Sequence, residues 1–84
     1  MGQTAPQPAD EPSLLARITM EPRKCGGRAC IRAMRIRVSD VLDLLAAGLS
    51  PTQVVAELPA LEPDDVRAAL LFASRRLGSP RLLA

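Results

Sequence analysis

Residues 50–70 read SPTQVVAELPALEPDDVRAAL, and the punctuation of this stretch decides the fold. Ser50 is a preferred N-cap, because its hydroxyl can accept a backbone N–H that the helix start leaves without a partner. Pro51 suits the first helical position, and Gln53 completes a capping box. Val54, Val55 and Leu58 form the buried stripe of this helix, and Pro59 ends it. Glu62 and Pro63 give a second start signal, and Asp64 and Asp65 place negative charge in the positive first turn. Val66, Ala69, Leu70 and Ala73 follow at i, i+3, i+4 and i+7, the spacing of one helical face, with Phe72 and Leu77 broadening it. Gly78 and Pro80 stop the helix. A helix, a tight turn over 59–62 and a second helix predict a helix-turn-helix shape. Val55 and Ala56 are expected at the contact between the two helices, with Ala60 in the turn and Val66 and Leu70 as anchors.

Upstream, Ser39 is the expected N-cap of another helix starting at Asp40. Val41, Leu42, Leu44, Leu45 and Ala46 make its apolar face, and Gly48 is its stop. Residues 17–38 read as extended chain. Ile18 and Met20 share one face of a short strand and Arg17 and Thr19 the other. Pro22 ends it, and Cys25-Gly26-Gly27 supplies a turn. Cys30 to Val38 returns, with Met34, Ile36 and Val38 facing away from Arg35 and Arg37. The fold class expected is therefore mainly α, a three-helix helix-turn-helix-like bundle preceded by a short N-terminal β-hairpin or ribbon. Residues 1–12 hold three prolines and almost no large apolar side chain, so a disordered tail is expected over 1–16. The domain is expected over 17–77, and 78–84 reads as a short C-terminal tail.

The chain has 84 residues, enough for one small domain. Hydrophobic residues are 48%, but Phe72 is the sole aromatic, so the core must be aliphatic. A binder that stacks bases on several rings is excluded. The absence of histidine removes the commonest general base and metal ligand. Two cysteines cannot complete a four-ligand zinc site within one chain. Neither catalytic residues, nor a metal, nor a cofactor are expected, and the chain reads as a non-enzyme. A folded unit this small is marginal alone, which makes a homodimer the expected state.

The net charge of +2 hides a pattern. Residues 17–37 carry +6, residues 38–66 carry −6, and residues 67–84 carry +4. This polarity suggests double-stranded DNA as a partner, because phosphate neutralisation supplies much of the affinity of DNA-binding proteins. Arg28, Arg32, Arg35 and Arg37 of the ribbon, with Arg67 of the last helix, are the candidate DNA-binding residues. Arg23 and Lys24 flank the ribbon set. The acids that begin the last helix oppose reading of the major groove by its N-terminus. The same arginines could instead be a solvated face, or partners for the acids of 40–65. Leu14, Leu15, Leu82 and Leu83 are candidate anchors for a protein partner, since tails with a few leucines can fold onto a surface, while Leu14 and Leu15 could instead start the fold.

No apolar run approaches the roughly 18–20 residues of a membrane span, and no export signal is read at the N-terminus. Met1-Gly2 lacks the Ser or Thr that a myristoylation motif needs at Pro6. The expectation is a cytoplasmic protein without membrane contact, whose Cys25 and Cys30 are free thiols. Small apolar packing beneath the glycine turn is the bland role for both cysteines, and a redox pair the sharper one.

Several of these motifs together resemble one family. Ile18-Thr19-Met20-Glu21-Pro22, Cys25-Gly26-Gly27-Arg28-Ala29-Cys30-Ile31-Arg32 and Arg35-Ile36-Arg37-Val38 look like the signature of the family called domain of unknown function 433. Gly48-Leu49-Ser50, Leu58-Pro59-Ala60-Leu61 and the Ala-rich helix after Asp64 continue the likeness over about 17–77. The resemblance implies a helix-turn-helix-like fold with an N-terminal β element. It further implies an antitoxin of a toxin–antitoxin system, with DNA binding, transcription regulation at its own promoter and a PIN-type nuclease as toxin. The alternative is a protein–protein interaction module of the same fold without DNA binding. Ala29, Ala33 and Met34 stand where the family pattern has Pro, Gly and Thr. An alanine at 33 puts a left-handed turn there in question.

Overall fold

Helix formation follows the local signals closely in the second half of the chain. The structure, a computed structural model, describes residues 10–23 and 25–78. Its elements are α1 (Glu11–Leu15), β1 (Ile18–Thr19), a 3₁₀ turn (Cys25–Gly27), β2 (Cys30–Ile31), α2 (Val38–Ala46), α3 (Pro51–Glu57) and α4 (Pro63–Leu77). The fold is mainly helical with a short antiparallel sheet near its N-terminus, as expected. Ser50 caps α3 through its Oγ, which accepts the Gln53 N–H at 3.1 Å, while Gln53 Oε1 accepts the Ser50 N–H at 2.8 Å. Gly78 ends α4 in the left-handed conformation (φ 81°), which a side chain would strain, and its N–H donates to the Arg75 carbonyl. The turn between α3 and α4 is closed by the Leu61 N–H donating to the Leu58 carbonyl at 2.9 Å.

The ribbon is more broken than its alternation suggests. β1 and β2 are antiparallel, with Ile18 opposite Ile31 and Thr19 opposite Cys30. Cys30 to Val38 is not one strand. The chain reverses at 32–35, and Arg37 then bridges Cys30. The Ile31 N–H donates to the Ile36 carbonyl at 2.9 Å, and the Val38 N–H to the Ala29 carbonyl at 3.0 Å. Three short segments therefore lie side by side, with β2 in the middle. Arg32 (φ 47°) and Ala33 (φ 59°) make the reversal in the left-handed region. The turn thus persists with alanine at 33. It is held by the Ala33 N–H donating to Thr19 Oγ1 at 3.0 Å and the Arg32 N–H donating to the Arg17 carbonyl at 2.6 Å.

Two further expectations are corrected. Ser39 does not cap α2; the helix starts at Val38, and Arg37 is its N-cap residue. The capping acceptor comes from Asp40, whose Oδ2 takes the Arg37 N–H at 2.9 Å, so the side chain at N3 replaces the missing one at the N-cap. The disordered tail expected over 1–16 is helical over Glu11–Leu15, capped by Asp10 accepting from the Ser13 N–H at 3.1 Å. Residues 1–9 and 79–84 of the two expected tails lie outside the described residues.

The core is aliphatic: Ile31, Val38, Val41, Val54, Leu61, Val66 and Ala69. Each large member contributes about 1.5–3 kcal/mol of burial. On α4 the buried side is Asp65, Val66, Ala68 and Ala69, whereas Leu70 is 47% exposed. Residues 65, 68, 69 and 72 also sit at i, i+3, i+4 and i+7. The true stripe is the expected period begun one residue earlier, on a charged side chain. Ala56 is likewise exposed rather than at the helix contact. Cys30 is buried and disulfide-bonded, not a free thiol. The thiol expectation came from compartment, which says nothing about how tightly the 25–30 loop folds.

Relief of the backbone strain at 33 gives a direct test. The left-handed conformation costs a non-glycine residue about 1–2 kcal/mol, and glycine gives back part of that through its unfolded-state entropy. Ala33→Gly is expected to stabilise the fold by about 0.5–1 kcal/mol, read as a rise of roughly 2–6 °C in the circular-dichroism melting temperature.

Candidate functional site

The start of α4 is organised around a buried carboxylate. Asp65 is 0% exposed. Its Oδ2 accepts the Glu62 N–H at 2.7 Å, which caps the helix. Arg32 approaches from the ribbon turn, with Nε 3.0 Å from Oδ1 and Nη2 2.8 Å from Oδ2, a bidentate fork. Arg32 Nη2 also donates to the Ala60 carbonyl at 2.9 Å, so one guanidinium holds both the helix start and the α3–α4 turn. Arg17, just before β1, places Nη1 2.9 Å from Asp65 Oδ1 and 2.8 Å from Glu62 Oε1. Its Nη2 lies 3.8 Å from Asp64 Oδ2. The left-handed backbone at 32 is what turns the Arg32 side chain towards α4 rather than along the ribbon.

Burial pushes the Asp65 carboxyl upward, but the Arg32 fork, the Glu62 N–H and Arg17 outweigh it and hold the group below its ordinary 3.8. The same pairing raises both arginines, through hydrogen bonds from Glu62 and Asp65 to Arg17 and from Asp65 to Arg32. The acids at this end face arginines, and among the described residues no group of acids or cysteines could hold a metal ion.

These contacts redistribute the expected DNA-binding set. Arg32 is exposed in part, but its Nε and Nη2 are taken by Asp65 and the Ala60 carbonyl, which is the alternative expectation of pairing with the acids of 40–65. Arg37 is half-buried, with Nη2 3.4 Å from Asp40 Oδ1. Arg28, Arg35 and Arg67 are exposed, on the loop before β2, the 32–35 turn and α4. Among the expected partner anchors, Leu14 is 5% exposed and is part of the fold, because α1 packs on α4. Glu11 pairs with Arg75 across the same contact. Leu15 is half-buried, and Leu82 and Leu83 lie outside the described residues.

The structure reveals a site at the opposite end of α4 that sequence reading did not single out. An open groove of about 500 Å³ lies between the ribbon, α2 and the last turns of α4. Val38, Leu42, Phe72 and Ala73 line it, with Met20 and Leu77 at its edges. Met20 is 50% and Leu77 86% exposed. Arg28 and Arg76 also line it, and the Arg76 guanidinium sits 5.4 Å from the Phe72 ring centroid, within cation–π range. The one legible signal was the Phe72–Arg76 pair at i, i+4.

A family model described as Protein of unknown function (DUF433) matches residues 18–73. That span runs from β1 into α4 and includes Arg32, Asp65, Phe72 and most of the groove. No curated protein and no solved structure matches the chain.

The clamp makes two linked predictions. Asp65→Ala removes the helix cap and leaves two partly exposed guanidinium groups without their shared partner, and is expected to cost about 1–3 kcal/mol, measured by urea unfolding. Because the folded carboxyl lies below its unfolded value of about 3.9, its stabilisation is complete above that pH and is lost as pH falls through it. The urea midpoint of the native chain is expected to drop below about pH 4, and Asp65→Asn to flatten that acid limb.

Proposed function

The chain belongs to that family, and within it we propose a non-catalytic, antitoxin-like binding module whose main contact is with a protein partner. The observation that carries this reading is the unequal surface of α4. Its first turn, the part a helix-turn-helix lays in the major groove, carries Glu62, Asp64 and Asp65 tied to Arg17 and Arg32. Acids there repel phosphate, and the clamp leaves them no freedom to turn away. Its last turns instead border an open apolar groove. Exposed apolar surface rimmed by charge is the mark of a protein-binding face. A nuclease-like toxin fits as the partner under this reading, and a homodimer fits the small core. No helix among the described residues is long and apolar enough to cross a membrane, which agrees with a partner in solution.

Contact with double-stranded DNA is the second reading, favoured by Arg28 and Arg35. Both are exposed, and neither makes an ion pair among the described residues. In a dimer such a ribbon could touch phosphates while the groove holds a partner. This would permit repression of a promoter by the pair.

Affinity purification of the tagged full chain from its host, after nuclease treatment and a high-salt wash, tests the main reading. One stoichiometric nuclease-like protein, whose activity falls when the chain is added back, is the expected outcome. Recovery of the chain alone, together with retardation of duplex DNA at low salt, would move the assignment to DNA binding. In that case Arg28→Ala with Arg35→Ala should reduce the slope of log affinity against log salt by about two.

A further inference from the structure

We propose that the groove at the end of α4 receives an acidic amphipathic helix from the protein partner; this rests on the protein-binding reading above. The lining decides the chemistry. Its floor is Val38, Leu42, Phe72 and Ala73, an apolar strip beside which the Ser39 hydroxyl is the one neutral side-chain hydrogen-bonding group among the described residues. The edges, Met20 and Leu77, are large, flexible and exposed, suited to close over apolar anchors. A helix laid in such a groove presents anchors at i, i+3 or i+4 and i+7.

Charge then selects among helices. Among the described residues, both charged side chains that line the groove are cations, Arg28 and Arg76, and no carboxylate lines it. Neither arginine makes an ion pair among the described residues. Arg76 is held at the edge by Phe72, so its guanidinium is placed before a ligand arrives. The complement does not come readily from a second copy, because most of the chain's own acids are engaged internally. Glu11 pairs with Arg75, Asp40 with Arg37, and Glu62, Asp64 and Asp65 with Arg17 and Arg32. Residues 79–84, the nearest segment in sequence, read SPRLLA and contain a base and no acidic side chain. An acidic partner therefore matches the groove better than either.

The probe is a pair of synthetic helical peptides with Leu at i, i+4 and i+7. One carries Asp and Glu at the other positions, and its twin carries Lys. Each is titrated into the ¹⁵N-labelled full chain. The acidic peptide should shift the amides of Met20, Leu42 and Phe72 and bind about tenfold more tightly than the lysine peptide. Leu77→Ser and Arg76→Glu, both exposed positions that leave the core intact, should each weaken it by about tenfold, and Arg76→Glu should narrow the gap between the peptides. Equal binding of the two peptides, or shifts confined to another face, would overturn the proposal. So would peptide-free evidence of another occupant: groove shifts that vanish on dilution indicate a second copy, and contacts from Leu82 or Leu83 methyls to the Phe72 ring indicate the chain's own end. A natural partner retained equally by the native chain and by Leu77→Ser with Arg76→Glu would leave the protein-binding reading standing and remove the groove from it.

Discussion

A carboxylate with no exposure to water must be met by charge and by hydrogen-bond donors, or it will not stay ionised. Asp65 meets that requirement with two guanidinium groups and a backbone N–H, and the rest of the structure is arranged around the demand. Arg17 arrives from the residue before β1, and Arg32 from the turn after β2. Glu62 supplies the helix cap. The three segments are thereby fixed to one point. Without it, the ribbon would rest on the helices through its two-residue sheet and the apolar contacts of Ile18, Ala29, Ile31, Met34 and Ile36.

The same constraint explains the division of α4 into two functional halves. At its start two cations of the ribbon, Arg17 and Arg32, neutralise the acids of the helix, so the charge blocks along the chain cancel in part, while Arg28 and Arg35 make no ion pair among the described residues. At its end neither Arg28 nor Arg76 makes an ion pair among the described residues, and the apolar stripe outruns the elements that cover it. The open apolar surface lies where the ion pairing of the helix start ends. The long helix carries both regions, so the clamp also sets the orientation of the groove relative to α2 and the ribbon.

Much of the fold was legible because its signals are local. Ser50 with Gln53, Glu62 with Pro63, and Gly78 each specify a helix boundary from neighbours within four positions. Val41 and Val54 marked the core for the same reason. The site was harder to read, because its chemistry depends on residues brought together from far apart. Arg32 reads as a phosphate contact or as a partner for the acids of 40–65, and nothing near it in sequence selects Asp65 among them. Asp65 looked like a helix-start acid in solvent, and counting only apolar residues therefore displaced the α4 stripe by one position and buried Leu70 wrongly. The α1 helix escaped notice because it has five residues and a proline, and its one buried side chain, Leu14, is explained only by the α4 surface beneath it. Cys30 was misjudged because compartment is no guide to loop geometry.

The clamp also bears on the order of folding events. Arg17 and Asp65 are separated by 48 positions and Arg32 and Asp65 by 33, whereas the capping contacts of α3 span three. Loop closure disfavours the distant pairs until the α3–α4 hairpin already exists to receive them. The ionic contact is then a late step. An interaction absent from the transition state leaves the folding rate little changed and acts instead on the rate of opening. The buried carboxylate thus governs how long a molecule stays folded once it has folded.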